Sequence, residues 1–322
     1  MKRFLNPKQA VRLFLTAAVL WSLLGLFTDF KDIAREIRHV SIWRLMAVFI
    51  LSAGNYWLRI IRFNWLSKLV AKAEINEETN SMIFLSGLSM NLTPARVGEV
   101  VKAYYQQKFF KESFARMAPI PVMERLADGI SMLILMSFGV LIFKFGILAF
   151  GLLSGLIVVI ILCLHQKRLM KIIFYLGSRV GATKKISVSL ERALDSFYRL
   201  SSLWPLILSS GLGVAAWAME ASGLWIMVGA VGVPNTISNL YLSLFIFSIA
   251  AAAGFLAIIP AGLGINEIST IGLLERLIKI NYPQALVVTF VFRLVTLWFG
   301  IFLGLASILY LERRLKNGDN LE

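Results

Sequence analysis

Hydrophobic positions in this chain come in long blocks. Six stretches of about 20 mostly apolar residues, at 10–28, 43–65, 117–142, 146–164, 203–231 and 283–311, are each long enough to cross a bilayer core as a helix. Two further apolar stretches, 79–105 and 238–280, are interrupted by proline and glycine. The pattern predicts an all-α polytopic membrane protein with about six spanning helices and two re-entrant broken-helix hairpins. The first stretch follows Lys2 and Arg3 as a signal peptide would, but no small-x-small cleavage pattern precedes Asp29. It reads as a retained helix.

Composition agrees. Hydrophobic residues make up 58% and charged residues 16% of the 322 positions, with a mean hydropathy of +0.76. Those values exclude disordered, collagen-like and coiled-coil classes and disfavour a soluble enzyme. A single cysteine, Cys163, gives no disulfide framework, and His39 and His165 lack metal-ligand spacing. No cofactor is expected. The net charge of +15 would suggest nucleic acid in a soluble protein, but here the basic residues flank membrane spans. With the N-terminus inside and both broken stretches re-entering, 22 Lys and Arg fall on the cytoplasmic side and 6 outside. That asymmetry predicts both termini cytoplasmic, and the membrane is expected to be a prokaryotic cytoplasmic one. The polar region 165–202 reads as a cytoplasmic connector. Within it Ser189, Glu191, Arg192, Asp195 and Arg199 suit an amphipathic helix, either a solvated link or a surface touching anionic headgroups.

The broken stretches resemble each other. Residues 94–99 read Pro-Ala-Arg-Val-Gly-Glu, and residues 260–267 read Pro-Ala-Gly-Leu-Gly-Ile-Asn-Glu. From Glu99 to Arg125 is 26 residues, and so is the distance from Glu267 to Arg293. The expected topology inverts the copies, giving a first repeat at 43–142 and a second at 203–311. Pro94 and Pro260 break the helix, while Gly98, Gly262 and Gly264 permit tight turns. Backbone freed there must be buried in protein or line a wet cavity. A half-helix N-terminus beyond such a turn attracts phosphate or carboxylate. A merely kinked spanning helix is the competing reading.

Ionisable groups inside a membrane are functional candidates by default. Arg59, Arg62, Arg125 and Arg293 lie in spans, as do Glu124, Asp128 and Glu220; Asn91, Arg96, Glu99, Asn266 and Glu267 lie at the broken turns. Glu124 and Asp128 share a helix face, and Asp128 is too deep and too short to reach water, so it should pair with arginine. Arg59 and Arg62 either bind inside or snorkel to the interface. Glu220 and Arg293 either pair or meet substrate. The inner arginines (59, 62, 96 and 125) outnumber the inner acids (99, 124 and 128) by one, which suits an anionic headgroup. Glu99, Glu124, Asp128, Glu220 and Glu267 would balance charge or carry protons.

At these residues the chain resembles the lysylphosphatidylglycerol synthase transmembrane-region family, also called flippase-like domain proteins. The matching motifs are Asn91-x-x-Pro94-Ala95-Arg96-x-Gly98-Glu99, Glu124-Arg125-x-x-Asp128 and Pro260-x-Gly262-x-Gly264-x-x-Glu267. The resemblance spans roughly 10–312 and implies movement of an anionic lipid or glycolipid between leaflets. Only about ten residues follow the last span, so aminoacyl transfer by a soluble domain is not expected.

Three functions therefore compete. A translocase would pass the headgroup of an anionic phospholipid, polyprenyl-phosphate or glycolipid through a polar cavity, with Asn91, Arg96, Arg125 and Arg293 among the groups that bind it. A membrane-embedded transferase would use Glu124 and Asp128 as base or metal ligands on a polyprenyl-phosphate. A non-catalytic partner of a glycolipid or envelope synthase would dock through 165–202. No phosphate-binding nucleotide motif is present, and the transporter reading outranks the enzymatic one.

Overall fold

A computed structural model describes residue 36 and residues 40–93, 98–144, 146–166, 184–257 and 259–317, with side chains omitted at 163–165, 184–188 and 190. The predicted helix 10–28, and Pro94 and Arg96 of the first turn, lie outside the described residues. Twelve α-helices follow in order among the described residues: α1 Ile42–Val70, α2 Glu77–Ser89, α3 Val101–Phe110, α4 Phe114–Met117, α5 Pro119–Phe143 and α6 Ile147–His165. Then come α7 Lys184–Leu200, α8 Leu203–Ala230, α9 Ile237–Leu256, α10 Ile265–Leu273, α11 Tyr282–Arg293 and α12 Phe299–Asn317.

Local chemistry sets the boundaries. Asn76 accepts the Thr79 amide at 2.9 Å to start α2, and Asn281 accepts the Gln284 amide at 3.0 Å to start α11. Proline occupies the first turn of α5, where no amide donor is needed. Lys144 ends α5 in the left-handed conformation, with φ of 50°. The loop after α1 is held by Glu112, whose carboxylate accepts the amides of Lys72 and Ala73, the latter at 2.6 Å.

Among the described residues four helical segments are long and apolar enough to cross a membrane: Phe114–Phe143, Leu203–Ala230, Ile237–Leu256 and Tyr282–Asn317. α6 adds the shorter apolar run Ile147–Leu162. The 29-residue α1 has the length, but it carries Arg44, Arg59, Arg62 and Lys68. α9, expected as one limb of the second broken-helix hairpin, is long: its 20 residues extend about 30 Å. Pro260 simply comes later in its stretch than Pro94 does, so the helix before it grows longer. The 13-residue α2 and 10-residue α3 of the first broken stretch are short by comparison.

α1 lies along α8, α12 lies along α2, and α5 packs on both α8 and α9. One core gathers Phe63, Phe84, Tyr105 and Ile120; a second gathers Leu135, Trp217, Leu224 and Phe245. Between them the two broken turns, Met90–Leu92 and Pro260–Gly262, touch each other. Leu92 and Ala261 meet there against Leu297 and Ile301. A buried amide chain ties the first three helices together: Gln106 donates to Ser67 and Asn80, and Asn80 donates to Asn64, all at 2.7–2.9 Å. The connector helix α7 rests on α1, α4 and α5, burying Phe197 and Leu200. Glu191, Arg192, Asp195 and Arg199 point outward. The C-terminal part of its apolar face is thus covered by protein.

The glycines divide by role. Gly262 and Gly264 have φ of 64° and 86°, a region costly for any residue with a Cβ. Gly98 does not have positive φ. It serves by close approach, since a Cβ there would stand 2.8 Å from the Thr93 side chain, and its amide donates to Thr93 Oγ1 at 2.9 Å. At Gly262 a Cβ would also stand 2.9 Å from the Gly254 backbone. Gly262→Ala should therefore lower the unfolding free energy in detergent by about 1 kcal/mol or more. Gly151→Ala, where a Cβ meets nothing within 4 Å, should raise it by up to about 1 kcal/mol. Thermal unfolding of the two variants side by side measures the difference.

Candidate functional site

Two turns of α1 bring Arg59 and Arg62 onto the face that meets α5, where Glu124, Arg125 and Asp128 wait on successive turns. Arg62 Nη2 lies 2.7 Å from Asp128 Oδ1, which also accepts Trp217 Nε1 of α8 at 3.1 Å. Arg125 reaches Asp128 Oδ2 and Glu99 Oε2, each at 3.0 Å. Lys102 of α3 lies 2.8 Å from Glu124 Oε2 and 3.2 Å from Glu99 Oε2. Arg62 and Glu124 are fully buried, so snorkelling does not describe Arg62. Isolated ions could not survive such burial. Each desolvated charge here is repaid by a partner.

Sequence reasoning missed Lys102. It sits three residues after Glu99 on a helix, the spacing at which opposite charges meet, and that was the available signal. Its aliphatic stem runs over Gly87, and its ammonium faces the Phe63 and Phe84 rings at 5.3 and 4.9 Å. Gly213 of α8 makes comparable room, since a Cβ there would stand 3.0 Å from Arg62 Nη1.

The second broken turn has its own pair. Arg293 Nε lies 2.6 Å from Glu267 Oε1, and Arg293 Nη2 donates to the Ala261 carbonyl at 3.1 Å. Glu267 Oε2 accepts the Gly264 amide at 2.7 Å, closing the start of α10. Each glutamate beside a broken turn therefore meets the arginine 26 residues later. Glu220 was weighed as the partner of Arg293. The structure pairs Arg293 with Glu267, and Glu220 lines the same cavity as Arg293.

Both sites open on one cavity of about 380 Å³. Its polar wall carries Arg59, Arg125, Asp128, Glu220 and Arg293, with Asn91 and Asn266 from the two broken stretches and Gly262 from the second turn. Arg62, Glu99, Glu124 and Glu267 stand behind that wall. Its other wall is apolar, formed by α5, α6 and the end of α9. Val122, Leu156, Phe255 and Leu256 on this wall are 44–52% exposed, so the cavity opens sideways between apolar helices. A second hollow of about 480 Å³, between the start of α2 and the end of α12, contains none of these charges. Among the described residues no group of three or more His, Cys, Asp or Glu is placed to hold a metal ion.

Removing one member of the inner network leaves its partners charged and buried. Asp128→Asn, which strips charge from the neighbours of Arg59, Arg62 and Arg125, should destabilise the protein by about 3–5 kcal/mol. Asp195→Asn, in the exposed Asp195–Arg199 pair of α7, should change stability little. Parallel thermal denaturation in detergent distinguishes the two.

The family described as the lysylphosphatidylglycerol synthase TM region matches residues 9–304. A UPF0104 membrane protein of Methanothermobacter thermautotrophicus is 23% identical over 296 residues, covering 83% of this chain and 84% of the relative. The match takes in both broken turns and every charge of the cavity, and the chain is an integral membrane protein that belongs to the lysylphosphatidylglycerol synthase TM-region family.

Proposed function

We propose that this protein moves a lipid with an anionic headgroup between membrane leaflets. The observation that carries the reading is the amphipathic cavity. One wall is charged and lies where the two broken turns meet; the other is apolar and open at its side. That shape suits a molecule with a polar head and hydrocarbon tails, because the tails can remain in lipid while the head crosses. In this reading Arg59, Arg125, Arg293, Asn91 and Asn266 face the headgroup, while Arg62 and Lys102 hold the scaffold. Arg96 belongs to the same turn by sequence. Both termini lie on the cytoplasmic side, as the Lys/Arg asymmetry suggests. The two turns, inverted with respect to the membrane, then open the cavity alternately toward each face.

The transferase reading fits the geometry less well. Glu124 is fully buried behind the cavity wall, on Lys102. Asp128 is held by Arg62, Arg125 and Trp217. A general base needs reach to a substrate proton: Glu124 does not line the cavity, and Asp128, which does, is held in ion pairs with arginines.

Leaflet exchange in proteoliposomes tests the proposal, with a fluorescent anionic phospholipid and a quencher confined to the outer solution. Wild type should accelerate exchange over protein-free vesicles. Arg125→Ala should slow it by on the order of tenfold or more in protein that still elutes as a folded species. Leu156→Trp, which narrows the lateral opening without touching a charge, should slow exchange by a similar factor at unchanged thermal stability. Absence of protein-dependent exchange with phospholipid, polyprenyl-phosphate and glycolipid probes would sink the reading.

A further inference from the structure

The last span, Tyr282–Asn317, is continuous but not uniform. Between α11 and α12, residues Leu294–Trp298 form a π-helical turn, wider than an α turn by about one residue. Such a turn interrupts the regular i to i+4 hydrogen bonding and is a place where a helix bends. The helices on its two sides pack differently. α11 joins the second core through Leu286, Val288 and Phe292, whereas α12 joins the first through Ile308 and Leu311 and lies along α2. The joint itself lies where the two broken turns touch, since Leu297 and Ile301 pack on Leu92 and Ala261. Arg293, which holds Glu267 and the Ala261 carbonyl, is the residue directly before it. A bend here therefore carries the second turn relative to the first.

α1 pins this joint. The Tyr56 hydroxyl donates to the Thr296 carbonyl at 2.8 Å, and the same carbonyl accepts the Phe299 amide. Residue 300 must be small for the phenol to reach it: a Cβ on Gly300 would stand 2.3 Å from the hydroxyl. Tyr56 is buried, yet it borders the cavity.

We infer that the π-turn Leu294–Trp298 is the pivot of the second broken turn, and that Tyr56 is the positioning residue that latches it. The inference rests on the translocase reading of the cavity and names the joint that alternate opening requires. A uniform α-helix of 36 residues would tie Arg293 stiffly to α12 and to the first turn beside it. The π-turn removes that stiffness at one place. Glu267 and Arg293 lie on the same side of the joint, so their ion pair travels intact. Breaking the Tyr56–Thr296 contact costs one hydrogen bond between uncharged groups, a factor of only about 2–10 in population. Latched and bent states so closely matched interconvert readily.

Distances across the joint test this. In full-length protein on a Cys163→Ala background, spin labels go on Ile268→Cys in α10 and Leu309→Cys in α12, positions 65% and 50% exposed. Pulsed electron paramagnetic resonance in proteoliposomes reads their separation. The labelled parent should show one main separation and a minor second one. Tyr56→Phe, which keeps its ring beside Phe299, should raise the second population about 2–10-fold. Deletion of Leu294, a lipid-facing residue of the turn, leaves an ordinary α turn. It should abolish the second separation at a thermal stability no lower than that of the parent. Should the deletion fail to fold, Gly300→Ala, whose Cβ displaces the Tyr56 hydroxyl, should reproduce Tyr56→Phe. One and the same separation in the parent and every variant would overturn the inference. Lower thermal stability in Tyr56→Phe with an unchanged distance profile would assign Tyr56 to the scaffold and overturn it as well. Leaflet exchange is measured on the same preparations, and deletion of Leu294 should slow it by about tenfold or more. Exchange at the parent rate in the deletion variant overturns the pivot. Two separations governed by Tyr56 with no exchange in the parent remove the translocase reading and leave the joint standing.

Discussion

Asp128 is the hinge of the electrostatics inside this protein. Its two oxygens are approached by Arg62 and Arg125 at ion-pair distance, by Arg59 at longer range and by the Trp217 indole. Those groups come from α1, α5 and α8. A lone carboxylate in hydrocarbon would be strongly unfavourable, and so would each lone arginine. The three helices are thus compelled to meet at one point in one register. The close contact of α1 with α8, the space left by Gly213 and the exit of Lys102 past Gly87 all serve that meeting.

The two broken stretches repeat one device with different reinforcement. In each, a glutamate beside the turn holds the arginine 26 residues on. The first pair is embedded among further charges on α1 and α3. The second is supported by the Ala261 carbonyl and the Gly264 amide. The first pair is therefore tied to ion pairs on neighbouring helices, while the second is tied to a turn made possible by glycine. The arginines of both pairs line one cavity.

Much of this was legible in the sequence, because blocks of apolar residues and isolated charges are strong signals. The limits of α5, α6 and α8 lie within a few residues of the apolar stretches. The equal spacing of the two Glu–Arg pairs was visible as arithmetic, and their contacts follow it. What escaped notice has a common cause: it depends on distances across helices. Lys102 looked like one more basic residue near an interface until Glu124 of another helix came within reach. Gly98 looked like a turn residue, but its role is close approach to Thr93. The choice of Arg293 between Glu220 and Glu267 needed the fold around the second turn. The length of α9 follows from 22 residues separating 238 from Pro260, against 15 between 79 and Pro94.

The pairing of α1 with α5 also bears on how the protein enters the bilayer during synthesis. Arg62 and Asp128 are 66 residues apart, so at about 5–20 residues per second the arginine emerges several seconds before its partner exists. Throughout that interval α1 carries two arginines that cost about 2.5–3.5 kcal/mol each at mid-membrane. Stable integration of α1 thus waits on α5. The buried charges of α1 are joined to their carboxylates only once α5 has been made and has docked.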